Sequence, residues 1–372
     1  MSQAGPRDLA QIIVNYSTAV QPGDAVMIHC RGYDTDDLAA EVQEAVLQAG
    51  GVPYIQMENE RLLRRFMHAC SEDIVQRLGT VLLEQMKQFQ AYVGIRGSQN
   101  IFQMSDVPKE KMEWYNRHIT GPVHIEQRVK HTRWCVMRYP NDSMSQLAEQ
   151  PTETFQQFYY DVCCIDYAQM KERVQPLREL MEKTRQVRVV SPGTDLRFSI
   201  EGIGVVPCVG ERNIPDGECF TAPHKESVEG EVQFNTPSVR EGVLFENIRL
   251  RFEKGKVVEM DAGAQTDRLR DMLSVDEGAR YLGEWSLGFH PRIWKPMRDT
   301  LFDEKIAGSL HMALGACYED ASNGNRSSLH WDMVLIQRPE YGGGEVWFDD
   351  TLVRKDGQFV LDELKGLNPD AW

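Results

Sequence analysis

The sequence predicts an α/β domain followed by a β-rich, α+β domain, and three observations carry that prediction. Apolar runs alternate with helical periodicities up to about residue 165, an amphipathic stretch covers 166–187, and from 188 onward short alternating strands and turns dominate. At 372 residues the chain also exceeds what one core usually serves, about 250 to 300 residues. The expected organisation is an α/β domain with a parallel sheet over 1–165, a connecting helix over 166–187 and a β-rich domain over 188–372.

Residues 8–20 read as a helix, and Pro22-Gly23 turns the chain into a strand, AVMIHC, whose unbroken apolar run suits a sheet covered on both faces. DDLAAEVQEAVLQAGG follows as a helix, with Leu38, Val42, Ala45 and Leu47 near helical spacing and Gly50-Gly51 as its stop. VPYIQM is then a second strand, and the strand–helix–strand order implies parallel pairing. The unit lacks GxGxxG, so a dinucleotide site is unsupported. Residues 60–89 read as helical, AYVGIRG as a strand, KEKMEWYNRHI as a helix, and HTRWCVMRYP as a strand ended by Pro140-Asn141-Asp142.

Across 166–187, Met170, Val174, Leu177 and Met181 step by four, three and four with charges between them, an amphipathic pattern in which Pro176 forces a bend or a new start. VRVV, LRFSI, GEVQFN and IRLRFEKGKVVEM then read as strands, the last as a hairpin about EKGK. A helical stretch, AQTDRLRDMLSV, interrupts them.

Composition narrows the function. A formal net charge of −15 argues against a nucleic-acid footprint and against attraction to anionic membranes. No run approaches the roughly 18 apolar residues of a membrane span, and the N-terminal stretch lacks the basic and apolar regions of a signal peptide. The eight cysteines are scattered without a CxxC pair, which fits thiols in a reducing compartment, so a cytoplasmic location is expected.

Chemistry gathers near the C-terminus. In SLHMALG, apolar Leu310, Met312 and Leu314 alternate with His311, Ala313 and Gly315, so His311 should stand on a small-residue face looking into a cleft. His330 and Asp332, two apart in LHWDMVLIQ, share one face of a strand while Trp331 and Met333 take the other. Alone, such a pair usually means a buried histidine satisfied by its neighbour. Glu218 in NIPDGECFTAP and Glu284 in YLGEWSLG add carboxylates among apolar neighbours, where an unpaired carboxylate is costly unless it binds a cation. Two histidines with three carboxylates make a nitrogen and oxygen ligand set for two divalent ions and suit metal-assisted hydrolysis. Without thiolates the set does not choose among zinc, cobalt and manganese. Tyr318, seven residues after His311, could donate a hydrogen bond to a developing oxyanion.

Taken together, FDEKIAGSLHMALGACYED, NRSSLHWDM, NIPDGECFTAP and YLGEWSLG resemble the aminopeptidase T and aminopeptidase S family of metallo-aminopeptidases. The resemblance extends to Pro22-Gly23-Asp24, Arg138-Tyr139-Pro140 and SPGTDL, and so to nearly the whole chain. It implies an α/β domain before a β-rich domain holding two metal ions, a homodimer and a peptide substrate. It places the family's metal ligands on Glu218, Glu284, His311, His330 and Asp332, with Glu284 bridging, and its catalytic tyrosine on Tyr318. His290 and His224 are expected in structural or substrate-contact roles. The chain departs from the family in being shorter, with an abbreviated connection from His311 to His330, which leaves peptide specificity open. Other readings are a pathway-specific amide hydrolase, a non-enzymatic scaffold, and a non-heme iron dioxygenase cleaving a dihydroxypyridine-like ring. The resemblance gives such dioxygenases a histidine in place of Glu284 and no His311, so this chain favours the two-metal hydrolase.

Overall fold

The computed structural model describes residues 4–32 and 34–372; residues 1–3 and 33, which fall within the expected 1–165 domain, lie outside the described residues. Two compact units result, one of Met1–Ile165 with Gly210–Pro215, the other of Asp166–Val209 with Asp216–Trp372.

In the first unit, helix α1 (Pro6–Ile12) precedes β1 (Ala25–Gly32), α2 (Asp36–Gln48) and β2 (Val52–Glu58). Helices α3 (Glu60–Ala69) and α4 (Glu72–Met86) lead to β3 (Ala91–Gly97), and α5 (Lys109–Tyr115) begins a helical stretch that runs on through Asn116–Val129 to β4 (Arg133–Arg138). α6 (Asp142–Leu147) and α7 (Thr152–Cys163) complete it. The pairing is parallel in the order β2-β1-β3-β4, with the short strand Asn213–Ile214 added beside β4. Successive β1 residues Val26, Met27, Ile28 and Cys30 are all buried, which is why its apolar run does not alternate. Met27, Tyr92 and Val136 pack on one side against Met67, Val75, Met86, Ile119 and Val123.

Several boundaries differ from the sequence expectation. The helix expected over 8–20 ends as an α-helix at Ile12 and continues as a wider turn over Ile13–Ser17. The helix expected over 60–89 is two, because Cys70 is extended and Ser71 starts α4. The 166–187 helix is also two, α8 (Tyr167–Arg173) and α9 (Gln175–Lys183), and both belong to the second unit. Pro176, at the first turn of α9, lacks the N–H a continuous helix would need and fits a helix start. Residues 210–215 lie with the first unit although they fall inside the expected 188–372 domain, and a two-residue strand offers no alternation to read.

The second unit contains an eight-stranded antiparallel sheet in the order Lys256–Asp261, Arg249–Glu253, Glu229–Gln233, Thr194–Ser199, Gln186–Ser191, Glu345–Phe348, Thr351–Lys355 and Gln358–Phe359. The EKGK hairpin forms with Lys254 and Gly255 at φ 48° and 78°, the left-handed pair a two-residue turn requires. A five-stranded sheet completes the unit: β5 (Val206–Cys208), β6 (Glu218–Thr221), β7 (Leu282–Gly288), β8 (Ser309–Gly315) and β9 (His330–Ile336), ordered β9-β8-β7-β6-β5 and antiparallel throughout. Among the described residues, no helix is long and apolar enough to cross a membrane.

Candidate metal centre

Register brings the predicted residues together. Across the sheet, Glu284 lies opposite Ala313 and Ala313 opposite Asp332; Ser286 lies opposite His311, Gly315 opposite His330, and Gly288 opposite Glu218. Because side chains alternate, Glu218, Glu284, His311, His330 and Asp332 all rise from one face. Ser286, Gly288, Ala313 and Gly315 lie between them on that face and leave room. Trp285, Leu287, Leu310, Met312, Leu314 and Trp331 fill the opposite face and are buried. β8 is thus covered on both sides, and His311 is 1% exposed, deeper than a cleft wall would be.

A bulge aims Glu284. The β7–β8 register shifts between Leu282 and Glu284, and a Cβ on the intervening Gly283 would stand 2.3 Å from the Ala316 carbonyl oxygen. Only glycine fits so close an approach, and the extra residue re-aims the next side chain.

The donor atoms converge. His311 Nε2 is 3.2 Å from Glu284 Oε1 and 3.9 Å from Asp332 Oδ1, and its Nδ1 is 3.4 Å from Glu218 Oε2. His330 Nε2 lies 3.4 Å from both Glu284 Oε2 and Asp332 Oδ1. His330 Nδ1 donates to the Ala316 carbonyl at 2.8 Å, which fixes the tautomer and leaves Nε2 for the site. Glu284 is shared by two groups of possible ligands, Glu218-Glu284-His311 and Glu284-His330-Asp332, each with its donor atoms within 4.8 Å of one another.

The surroundings extend beyond the residues anticipated from sequence. Glu304 forms a further group with His311 and Asp332, and Cys208 and Asp216 form one with Glu218. Lys305 is fully buried, with Nζ 3.3 Å from Glu218 and 3.8 Å from Asp216, and it also pairs with Glu304. The available signal was the adjacent acid and base of FDEK, seven and six residues before His311, in an otherwise apolar approach to a strand.

Charge imbalance shows in the ionisation. Burial pulls His311 down, yet Glu218, Glu284 and Asp332 together push it up to about 10. Burial acts likewise on His330, and Asp332 and Glu284 push it up to about 12. Desolvation first, then the charges of Glu218 and Asp332 against the opposing Lys305, raises Glu304 to about 8. A buried carboxylate and imidazole set of this kind accommodates divalent ions by its chemistry.

Tyr318 stands at the rim, 52% exposed, its ring 5.0 Å from that of His330 and 5.5 Å from that of Phe220. Desolvation, then the charges of Glu284 and Asp332, holds its phenol well above the ordinary value, so it stays a donor. His290 and His224 are outside the set. His290 is buried and its Nδ1 accepts from the Arg292 N–H at 3.1 Å, while His224 Nε2 donates to the Glu201 carbonyl at 2.7 Å.

Fold and site define a class, a two-unit protein whose antiparallel sheet gathers imidazoles and carboxylates able to hold metal ions. The chain belongs to the Peptidase_M29 family, described as thermophilic metalloprotease (M29), which matches residues 4–359. It is 41% identical over 169 residues to aminopeptidase T of Thermus thermophilus, a match covering 39% of this chain and 41% of that protein. The chain thus spans about two fifths of the length of that curated relative. Among solved structures it resembles wild-type AmpT from Thermus thermophilus, with a TM-score of 0.77 and 22% identity over 96% of this chain and 99% of that one. It also resembles 2,5-dihydroxypyridine dioxygenase from Pseudomonas putida KT2440, with a TM-score of 0.62 and 16% identity over 98% and 99%. At those identities both likenesses establish the fold.

Proposed function

We propose that this chain is a dinuclear metallo-aminopeptidase that releases the N-terminal residue of peptides. The observation that carries the reading is Glu284, the carboxylate common to two adjoining ligand groups on one sheet face, in a member of a metalloprotease family. Glu218, Glu284, His311, His330 and Asp332 would hold the ions, with Glu284 between them. Divalent ions held there would supply Lewis acidity toward a peptide carbonyl and a water acidified toward neutral pH.

The chain's own residues supply the rest. The Ala316 carbonyl holds the His330 ring. Ser286 Oγ donates to Glu218 Oε2 at 3.1 Å and holds that carboxylate in place. Tyr318 donates its phenolic proton in a hydrogen bond to the oxyanion that develops on the attacked carbonyl. The metals are zinc, cobalt or manganese, the active form is a homodimer, and the location is cytoplasmic. Family resemblance supports the dimer, and the free state of all eight cysteines agrees with the compartment.

Elemental analysis of protein purified without chelator, paired with hydrolysis of aminoacyl-naphthylamides, tests the proposal. Two divalent metals per chain and chelator-sensitive release of the N-terminal residue are expected. One iron per chain, with oxygen consumption and no peptide turnover, would transfer the chain to the dioxygenase reading.

A further inference from the structure

Lys305 is the buried basic group beside the metal centre that the proposed mechanism leaves without a role. It is 0% exposed, and its backbone is pinned on both sides: its N–H donates to the Phe302 carbonyl at 3.0 Å, and its carbonyl accepts from the His290 N–H at 2.9 Å. An ammonium taken out of water is costly unless acids surround it. Here Nζ lies 3.3 Å from Glu218 Oε1 and 3.8 Å from Asp216 Oδ1, and it pairs with Glu304.

Glu218 is divided between two sides. Its Oε1 is taken by Lys305, while its Oε2 accepts from Ser286 Oγ at 3.1 Å and stands 3.4 Å from His311 Nδ1. Only Oε2 is therefore turned to the imidazole. A carboxylate can offer a metal ion one oxygen or both, and the ammonium restricts this one to a single oxygen. A catalytic ion needs a position left open for water or substrate, and one-oxygen ligation keeps such a position available.

The other side of Lys305 shows what the ammonium keeps out. β5 pairs with β6 so that Cys208 lies opposite Glu218 and on the same face of the sheet. Cys208, Asp216 and Glu218 bring donor atoms within 4.8 Å of one another, and a thiolate with two carboxylates is a competent ligand set for zinc or cobalt. Lys305 Nζ stands at the Asp216 and Glu218 oxygens that an ion held there would use. Like charges so close repel strongly in a low-dielectric interior, so the ammonium and a divalent ion exclude each other at this group.

We propose that Lys305 is a positioning residue, a built-in cation that holds Glu218 to one-oxygen ligation and closes the Cys208, Asp216 and Glu218 group to a further metal ion. The centre is thereby kept to nitrogen and oxygen ligands, and Cys208 stays a thiol. The inference rests on the metal-centre reading for the ions that Glu218 helps to hold. Without the ammonium, Cys208 Sγ binds a divalent ion as the thiolate and releases its proton to solvent.

Cobalt loading of the metal-stripped full chain, followed by elemental analysis and near-ultraviolet absorption, tests it. Wild type is expected to take up two ions without a sulfur-to-cobalt charge-transfer band. Lys305→Ala should take up one ion more and show the band, and combining it with Cys208→Ser should remove both. The count is read as the difference between variant and wild type, so fewer than two ions in wild type would count against the dinuclear reading alone. A folded Lys305→Ala protein with the wild-type count and no band would overturn the proposal, as would a band that persists without Cys208. Should Lys305→Ala not fold, wild type decides: a third ion, or a charge-transfer band that Cys208→Ser removes, would show that Lys305 does not close the group, and their absence at saturating cobalt is the result expected.

Discussion

Tyr318 and Glu58 show how single side chains divide the chemistry from the stability. Half exposed beside His330, Tyr318 is the residue proposed to donate one hydrogen bond at the reacting carbonyl. Tyr318→Phe should lower kcat by roughly 10²- to 10³-fold with metal content and KM nearly unchanged; wild-type turnover would remove the residue from the mechanism. Glu58 acts far from that chemistry in sequence, on β2. Desolvation raises its carboxyl, but the hydrogen bond from His29, 3.1 Å between Nε2 and Oε2, and the charge of Arg31 outweigh it and hold the group below the usual carboxylate value. A carboxyl lowered in the folded state adds stability above its unfolded value of about 4.3 and loses it as pH falls through the folded one. Wild type should therefore exceed Glu58→Gln in urea stability at pH 7, with the gap closing toward pH 3; a gap independent of pH would contradict that account.

At the scale of elements, the β7–β8 pairing decides where the ligands point. Gly283→Ala would drive a methyl into the carbonyls of Ala316 and Gly315, 2.3 and 2.4 Å away, and remove the bulge that aims Glu284. Overpacking of this kind costs about 1–3 kcal/mol, and bound metal should fall along with activity, measurable by elemental analysis after gel filtration. A variant with full metal content would show that the bulge does not set the aim. The strands themselves were legible: the small-residue alternation of SLHMALG and the HxD spacing both follow from the two-residue period of a strand. The bulge was not, because Gly283 reads from sequence as an ordinary glycine among apolar residues. The two helix breaks were half legible, since Pro176 announces one and Ser71 gives only a weak start signal.

For the molecule as a whole, each unit has a core of its own, and every proposed metal ligand lies in the second. Binding to the native state alone stabilises what it binds, by about 4 kcal/mol when ligand exceeds its Kd a thousandfold. Removing metal with a chelator should therefore speed amide hydrogen exchange in β6 to β9 while β1 to β4 of the first unit keep their protection. Uniform loss across both units would show that the ligands stabilise more than their own sheet.

The sequence by itself determined the α/β and β-rich division, the parallel sheet, the strand identities around His311 and His330 and, through resemblance, the family. Those properties are local: periodicity, turn residues and short motifs are written within a few residues of one another. Only the tertiary structure decided that Glu218, Glu284, His311, His330 and Asp332 share one face and that Glu304 and Lys305 join them. Each depends on cross-strand register or a glycine bulge, which bring together residues up to about a hundred positions apart, and no local pattern encodes such distances.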